Sequence, residues 1–426
     1  MSKTASDTVR RQAAAANYVA AFLTMVFLFF IVGFLTTVNT QFQAPLKETF
    51  LGDVGGLKNT FATLITFSWF LAYPVCGGLG SAWVNRCGYC GTLVRGLLMM
   101  CAGLLLFLLS AWGADTMSTL EVGGARVPLA FLVFLLGSFV TGGSATVLQV
   151  VINPYLTACE VRGTQAVQRM AIGGTANSVG TTVAPYFVSG IVFGGLALEE
   201  VTAEMLVFPF LCLAAVIGFV AVCVGRMPLP DISGARAAGG DRLERSVWSF
   251  RHFTLGVVAI FFYVGAEVCV GANITMYADE LNLETGALLA TLYWGGLLVG
   301  RLIGSTLSTV PPRTQLTVTT CGAAVLTTLA IVLDSTAVLA AVGICHSIMW
   351  GAIFTLAVKD LGKYTSAATG AFMIGVVGGA ILPLLQGVYA DMTGGWRSSW
   401  WLIVACELIM LSYALFGSRI KSKSNE

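Results

Sequence analysis

The feature that most constrains this chain is a series of apolar runs that are each long enough to cross a bilayer. A membrane-spanning helix needs about 20 mostly apolar residues. Only 10% of the residues are charged, whereas a soluble domain carries about 25%. The sequence therefore predicts an all-α membrane protein with twelve transmembrane helices, at approximately 18–42, 57–84, 91–112, 128–157, 166–195, 205–225, 252–278, 286–308, 314–333, 335–358, 366–391 and 397–418.

One polar segment divides the series into six runs and six. Residues 226–251 are rich in proline, glycine and charge, which is typical of a linker. We predict a cytoplasmic linker there, between two six-helix bundles that are flanked by short cytoplasmic tails. The predicted boundaries are 1–17 for the N-terminal tail, 18–225 for the N-terminal bundle, 226–251 for the linker, 252–418 for the C-terminal bundle and 419–426 for the C-terminal tail.

Lysine and arginine are distributed unequally between the two sides of the predicted bundle. Nineteen of the 23 fall on one side, and the other side has only Lys47, Lys58, Arg126 and Arg397. Positive charge marks the cytoplasmic side of a membrane protein. We therefore expect a protein integral to the cytoplasmic membrane, with both termini and the linker in the cytoplasm.

Glycine and proline interrupt matching spans of the two bundles. Gly180 precedes Pro185 by five residues in the fifth span, and Gly378 precedes Pro383 by five residues in the eleventh. Such interruptions at corresponding places indicate an internal repeat, with a binding site between the repeats. Broken helices at membrane depth line a cavity or face other protein.

Amide and hydroxyl side chains recur inside the apolar spans. In the first span Thr36, Thr40 and Gln43 share one helix face, with Asn39 beside them. The fourth and fifth spans repeat the pattern at an i, i+4 spacing, with Gln149 and Asn153 in the fourth, and Asn177 and Thr181 in the fifth. Such groups also form helix-to-helix hydrogen bonds, but a set shared by several helices favours a pathway for a neutral polyhydroxylated ligand.

Aromatic rings usually complete a site of this kind. Tyr263, Trp294, Trp350 and Phe354 lie in spans that could supply them. For any one of these residues, packing against the core or lipid is the competing interpretation.

Two carboxylates lie inside predicted spans. Glu267 is in the middle of the seventh span, where a charged group costs about 2.5–3.5 kcal/mol unless it is paired, protonated or in contact with a wet cavity. It could carry a coupling proton, accept a ligand hydroxyl or coordinate Na⁺. Glu407 is in the last span, and we expect a structural role at the periphery for it.

Signatures of catalysis and of metal binding are missing from the sequence. It has no H-E-x-x-H, G-x-S-x-G or Walker motif. The two histidines, His252 and His346, are too few for a histidine-based metal cluster. We expect neither an enzyme nor a metalloprotein.

Several of these segments together resemble the fucose–galactose–glucose symporter family of the major facilitator superfamily. FFIVGFLTTVN at 29–39 is similar to the family's first helix, and NRCGY at 85–89 resembles the basic loop after the second helix. LQVVINP at 148–154 and NSVGTT at 177–182 resemble the glucose/galactose branch. Further similarities are YVGAE at 263–267, YWGG at 293–296 with Gly300-Arg301, SIM at 347–349 and IFTLAVKDLG at 353–362.

The resemblance implies the major facilitator fold, in which two pseudo-symmetric six-helix bundles rock to move a sugar, driven by an ion gradient. Many members have Asp directly after the first-helix Asn, where this chain has Thr40. The fucose branch has Glu at the position of Gln149 and a sugar-contacting Gln at the position of Gly174. Both usual proton-carrying positions are neutral here, which leaves Glu267 for coupling, or else Na⁺ coupling or uniport.

Secondary active transport of a hexose such as glucose or galactose is the predicted function, by alternating access and with H⁺ or Na⁺ as co-transported ion. The alternatives are a transporter or exporter of another small solute, and a non-transporting sugar sensor. The expected partners are the sugar and the bilayer, without nucleic acid, and a monomer suffices. The residues expected to contact or gate the sugar are Asn39, Thr40, Gln149, Asn153, Asn177, Trp294 and Trp350, with Glu267 as the coupling residue.

Overall fold

The computed structural model describes residues 2–122, 125–159, 161, 164, 166–196, 200–229, 244–306 and 310–420, and most of these residues are helical. We call residues up to 229 the first half and residues from 244 the second half. The helices of the first half are α1 Ser2–Gln41, α2 Gln43–Phe50, α3 Lys58–Trp112, α4 Leu129–Ala158, α5 Ala166–Tyr186 and α6 Val207–Arg226.

The second half contains shorter helices because several of its spans are broken. Its helices are α7 Arg251–Glu280, α8 Gly286–Thr306, α9 Pro312–Leu333, α10 Thr336–His346, α11 Met349–Val358, α12 Thr365–Phe372, α13 Gly378–Thr393 and α14 Trp401–Ser412. A short antiparallel hairpin, β1 Thr119–Val122 and β2 Ala125–Pro128, precedes α4 in the first half.

Ten stretches of the described chain are long and apolar enough to cross a membrane. One of them, Val54–Trp112, has 59 residues and holds two spans, because the backbone of α3 reverses at Gly88, where φ is +69°. The more polar helix α5 is not among the ten, although it packs inside the bundle against α1. With these two additions the predicted twelve-span helical fold is confirmed.

Helix breaks fall inside two spans of the second half, and a third span begins with a 3₁₀ turn. The tenth span is interrupted between α10 and α11, and the eleventh passes through a 3₁₀ turn at Met373–Val377 before α13. The twelfth starts with the 3₁₀ turn Arg397–Trp400. Each break frees backbone groups that need partners inside the protein.

Two helix pairs pack against each other across the two halves, α5 with α8 and α3 with α13. The second pair approaches closely at Gly387, where an added Cβ would lie 2.6 Å from the Thr63 hydroxyl oxygen. Small residues permit this kind of close packing between membrane helices.

The predicted domain boundaries stay predictions. Most of the predicted linker, residues 230–243, and most of the C-terminal tail, residues 421–426, lie outside the described residues. Helix α1 already begins at Ser2, within the segment predicted as the N-terminal tail.

Candidate functional site

Glu267 lies at the centre of a polar cluster in the second half. Its carboxylate oxygen Oε1 lies 3.0 Å from the hydroxyl of Tyr263, one turn earlier on α7. The guanidinium of Arg301 on α8 lies 3.7 Å from the same oxygen, and only 13% of the Glu267 side chain is exposed. The ion pair and the hydrogen bond offset the cost of placing a carboxylate at this depth.

Arg301 connects this cluster to the first half. Its Nη1 atom donates to the hydroxyl of Ser178 on α5, next to the predicted site residue Asn177. Arg301 was predicted to lie on the basic side of the membrane, whereas its side chain pairs with Glu267 and Ser178 inside the bundle. Glu267 is therefore linked, through one side chain, to a helix of the opposite half.

The break after α10 supplies two backbone acceptors to the same cluster. The carbonyl of His346 accepts 2.9 Å from the Tyr263 hydroxyl, and the carbonyl of Ser347 accepts 3.3 Å from Nε of Arg301. Both side chains that contact Glu267 thus also hold the broken helix. Glu267 is therefore connected to the α10–α11 junction through these two side chains.

A histidine and a second glutamate adjoin the break. Nε2 of His346 lies 2.7 Å from Oε1 of Glu407 on α14, and Nδ1 of His346 lies 2.6 Å from the hydroxyl of Tyr293 on α8. The side chains of both His346 and Glu407 are fully buried. The expectation that the last span places Glu407 at the periphery was wrong, because the side chain points from α14 into the interior of the second half.

The two predicted aromatic platform residues differ in their surroundings. Trp350 stands edge-on to Tyr263, with 6.3 Å between ring centroids, so it lies beside the Glu267 cluster. Trp294 is 7% exposed and packs against Gly271, where an added Cβ would overlap its ring. Its indole nitrogen has no hydrogen-bond partner among the described residues.

On the first half, the amide of Gln149 is oriented by a neighbouring helix. Its Nε2 atom donates 2.8 Å to the hydroxyl of Tyr73 on α3. Asn153 follows one turn later on α4, and both amides are half-buried. The carbonyl oxygen of Gln149 is therefore presented in a fixed direction.

The other three polar residues predicted to contact the ligand hydrogen-bond to backbone. Asn39 donates 3.4 Å to the carbonyl of Ile65 on α3, and Thr40 donates 2.9 Å to Thr37 on its own helix. Both side chains are buried. Asn177 donates 3.1 Å to the carbonyl of Phe29 and so joins α5 to α1. Contact of these three with a ligand stays a prediction.

The position of Gly174 opens onto free space. A Cβ added there would meet no atom within 4 Å. Gly174 lies one turn before Ser178, which receives the hydrogen bond from Arg301. A side chain at this position would therefore meet no steric barrier.

At one end of the bundle the halves are held together by direct polar contacts. Lys47 pairs with Asp279 at 3.3 Å, and Gln41 donates 2.9 Å to the carbonyl of Gly271. At the same end, Asp391 of α13 accepts hydrogen bonds from α3. We call these contacts the closed end of the molecule.

Sequence reasoning missed Arg301, Tyr293, His346 and Tyr73 as members of the polar clusters. An arginine inside the apolar run 286–308 was the available signal for Arg301, since a cation at that depth needs a partner. His346 was considered only as a metal ligand. Within the described residues, no group of three or more histidine, cysteine, aspartate or glutamate side chains is placed to hold a metal ion.

Comparison with known proteins identifies related sequences and folds. The profile described as Major Facilitator Superfamily matches residues 18–376. The chain is similar to the glucose/galactose transporter of Brucella abortus, at 33% identity over 416 residues and 95% of each chain. It is also similar to the L-fucose-proton symporter of Escherichia coli, at 22% identity over 95% of this chain and 94% of that one.

A solved structure supports the fold. The D-xylose-proton symporter superposes with a TM-score of 0.68 at 15% identity, covering 94% of this chain and 97% of the other. At that identity the likeness concerns the fold alone.

Proposed function

We propose that this chain, which belongs to the Major Facilitator Superfamily, is a secondary active transporter that carries a hexose of the glucose/galactose kind across the cytoplasmic membrane. The relative from Brucella abortus that is named as a glucose/galactose transporter is similar over 95% of both chains. Similarity along the whole length supports a shared class of substrate more strongly than a match to one segment.

The observation that carries the proposal is the polar connection between Glu267, Arg301 and Ser178. It joins a carboxylate of the second half to a helix of the first half. In a transporter that works by alternating access, a bound ligand and a coupling ion must both act on the contact between halves. The contact that Glu267 and Arg301 make with the first half supports this role.

For the coupled ion we propose H⁺. A relative in the same family is named as an L-fucose-proton symporter. A proton on Glu267 cancels its charge and so weakens the attraction to Arg301, which frees the guanidinium to leave Ser178. Protonation of Glu267 would then control the contact between the two halves.

For the sugar we propose contacts from both halves. Gln149 and Asn153 would accept and donate hydrogen bonds from α4, and Trp350 would provide an apolar surface beside Glu267. Asn39, Thr40, Asn177 and Trp294 would support or gate the site through the helix contacts that they make. Neutral amides and hydroxyls match the mixed donor and acceptor character of sugar hydroxyls.

The experiment that tests the function is uptake of radiolabelled glucose and galactose by proteoliposomes. An imposed pH gradient and an imposed Na⁺ gradient are applied separately. We expect accumulation with the pH gradient alone. Equilibration without accumulation would instead indicate uniport, and absence of uptake by folded protein would refute the hexose assignment.

The variant Glu267→Gln tests the coupling role. Gln keeps the size of the side chain but cannot release a proton, so we expect accumulation to be lost while counterflow exchange of sugar continues. Glu284→Gln is the matched control, because Glu284 is exposed after the end of α7. Normal accumulation by Glu267→Gln would remove this residue from the coupling role.

A further inference from the structure

The contact between His346 and Glu407 is the most buried pair of an acidic and a basic side chain among the described residues, and the transport scheme above does not use it. Neither side chain is exposed, and their atoms Nε2 and Oε1 are 2.7 Å apart. Oε2 of Glu407 has no hydrogen-bond partner among the described residues. A lone ionised carboxylate in this position would be costly, so the proton content of the pair matters.

The hydrogen bonds around Tyr293 determine where the protons are. Its hydroxyl lies 2.9 Å from the backbone carbonyl of Glu267 and 2.6 Å from Nδ1 of His346. A carbonyl can only accept, so the single Tyr293 proton points to Glu267. Nδ1 must then carry a proton of its own and donate it to the Tyr293 oxygen.

The other ring nitrogen then requires a shared proton. With Nδ1 protonated, the 2.7 Å contact between Nε2 and Oε1 holds one proton, whether it sits on the imidazole or on the carboxyl group. In both cases the His346–Glu407 pair is neutral overall. This neutral state fits its complete burial.

Loss of the shared proton would change the partner of Tyr293. The remaining imidazole proton would move to Nε2 to face the Glu407 carboxylate, and Nδ1 would become an acceptor. Tyr293 would then donate its proton to Nδ1 and release the carbonyl of Glu267. One proton therefore decides whether the backbone of α7 at Glu267 is held by α8.

We infer that His346 and Glu407 form a second proton-binding site of the transporter, which sets the state of Glu267 through Tyr293. The inference rests on the proposed transport function. Neither residue of the pair touches the sugar in this scheme. Both are positioning residues, and Tyr293 transmits the change.

Other titratable groups surround the pair without replacing it. From α7 they are Tyr263, Glu267 and Cys269; α8 adds Tyr293 and Arg301; Cys345 precedes His346 on α10, and Cys406 precedes Glu407 on α14. The buried residues of α9 include Leu316, Thr320, Ala323 and Thr327, none of which titrates near neutral pH. Arg301 pairs with Glu267, so its positive charge does not neutralise Glu407. His346 and the shared proton must do this.

The test is the pH dependence of sugar counterflow in Glu407→Gln. A Gln amide can donate to Nε2 of His346 and keep the packing, but it cannot lose a proton between about pH 5 and pH 8. We expect wild-type exchange to vary severalfold over this range, and the ratio of the rates at the two ends to fall in the variant to the part that Glu267 itself contributes. Accumulation driven by a pH gradient should fall in parallel.

Two further variants separate titration from packing. Tyr293→Phe keeps the ring and removes the hydroxyl that transmits the change, so it should flatten the pH profile as well. Cys406→Ala alters the neighbouring buried residue on α14 without removing a proton from the pair, and it should keep the wild-type profile. If Glu407→Gln does not fold, the pH profile of counterflow in Tyr293→Phe alone tests the inference.

The outcomes distinguish this inference from the function on which it rests. If wild-type protein exchanges no hexose, the proposed function fails and the inference fails with it. If wild-type protein accumulates hexose and both Glu407→Gln and Tyr293→Phe keep its pH profile, only the inference is overturned. A flattened profile in both variants supports it.

Discussion

Gln149 illustrates how one side chain can be prepared for a ligand at the scale of a residue. Its amide nitrogen is engaged by Tyr73, so its carbonyl oxygen is held in one direction before any ligand arrives. Removing rotational freedom in advance lowers the cost of binding. The hydrogen bond to Tyr73 therefore favours affinity as well as orientation.

We predict that Gln149→Ala raises KM for hexose uptake by roughly three- to tenfold, the value of one lost neutral hydrogen bond. Tyr73→Phe should raise KM less, because Gln149 remains but loses its orientation. Gln315→Ala on α9 is the control, since Gln315 donates to the backbone of Val310 at the helix end. Uptake kinetics measure all three. An unchanged KM in Gln149→Ala would exclude contact between this amide and the sugar.

At this scale the sequence predicted single residues better than their partners. Glu267 was recognisable because a carboxylate inside an apolar run is rare. Its partner Arg301 is one helix away, and His346 and Glu407 are 61 residues apart, so only the folded arrangement of α10 and α14 brings them together. A single sequence contains no periodic signal for such a long-range pair.

At the scale of elements, Asp391 completes the start of a helix in the opposite half. Helix α3 begins without a side-chain cap of its own. The Asp391 carboxylate accepts from the backbone N–H of Asn59 at 3.2 Å and of Thr60 at 2.7 Å, and from the Thr60 hydroxyl at 2.6 Å. An acidic group is favourable at a helix N-terminus. The cap exists only while α3 and α13 stay together at the closed end.

We predict that Asp391→Ala destabilises the closed end by about 0.5–2 kcal/mol, the range for loss of a helix cap. The distance between spin labels at Glu48→Cys and Leu283→Cys, both exposed and in opposite halves, measures the opening. We expect Asp391→Ala to have more molecules with a long label-to-label distance than the labelled protein without this change. The background must lack the exposed cysteines Cys212, Cys223 and Cys321.

Two comparisons make the Asp391 experiment specific. Thr60→Val removes only one of the three hydrogen bonds and should have a smaller effect on the distance distribution. Asp360→Asn, after the end of α11, should have none. An Asp391→Ala distribution identical to that of the unmutated labelled protein would show that the cap does not hold the halves together.

The positions of the elements were predictable, whereas the break in the tenth span was not. Apolar length places most of the twelve spans, because the bilayer fixes how long a span must be. The break between α10 and α11 falls at Ser347 and Ile348, where the sequence has no proline or glycine that would predict it. It persists because Tyr263 and Arg301 bind the freed carbonyls, and those partners come from other helices.

For the whole molecule, the charge distribution and the closed end together define a direction. The charge-poor side has four basic residues, Lys47, Lys58, Arg126 and Arg397. All four lie in loops or near helix ends at the same end of the bundle, as expected from twelve alternating spans. Arg397 there pairs with Asp334. By the positive-inside rule the closed end should face away from the cytoplasm. The polar contacts of Lys47, Gln41 and Asp391 would then form an outer gate.

We predict that a cysteine at Glu48, at the closed end, reacts in intact cells with a membrane-impermeant maleimide, whereas one at Asp360, at the opposite end, does not. Both side chains are exposed, so access to solvent is equal and only the side of the membrane differs. A permeant maleimide should label both and serves as the control. The reverse pattern would place the basic side outside and turn the proposed outer gate into an inner one. Because an outer gate must open when the inner side closes, hexose added outside should also change the labelling rate at Glu48→Cys in the predicted orientation.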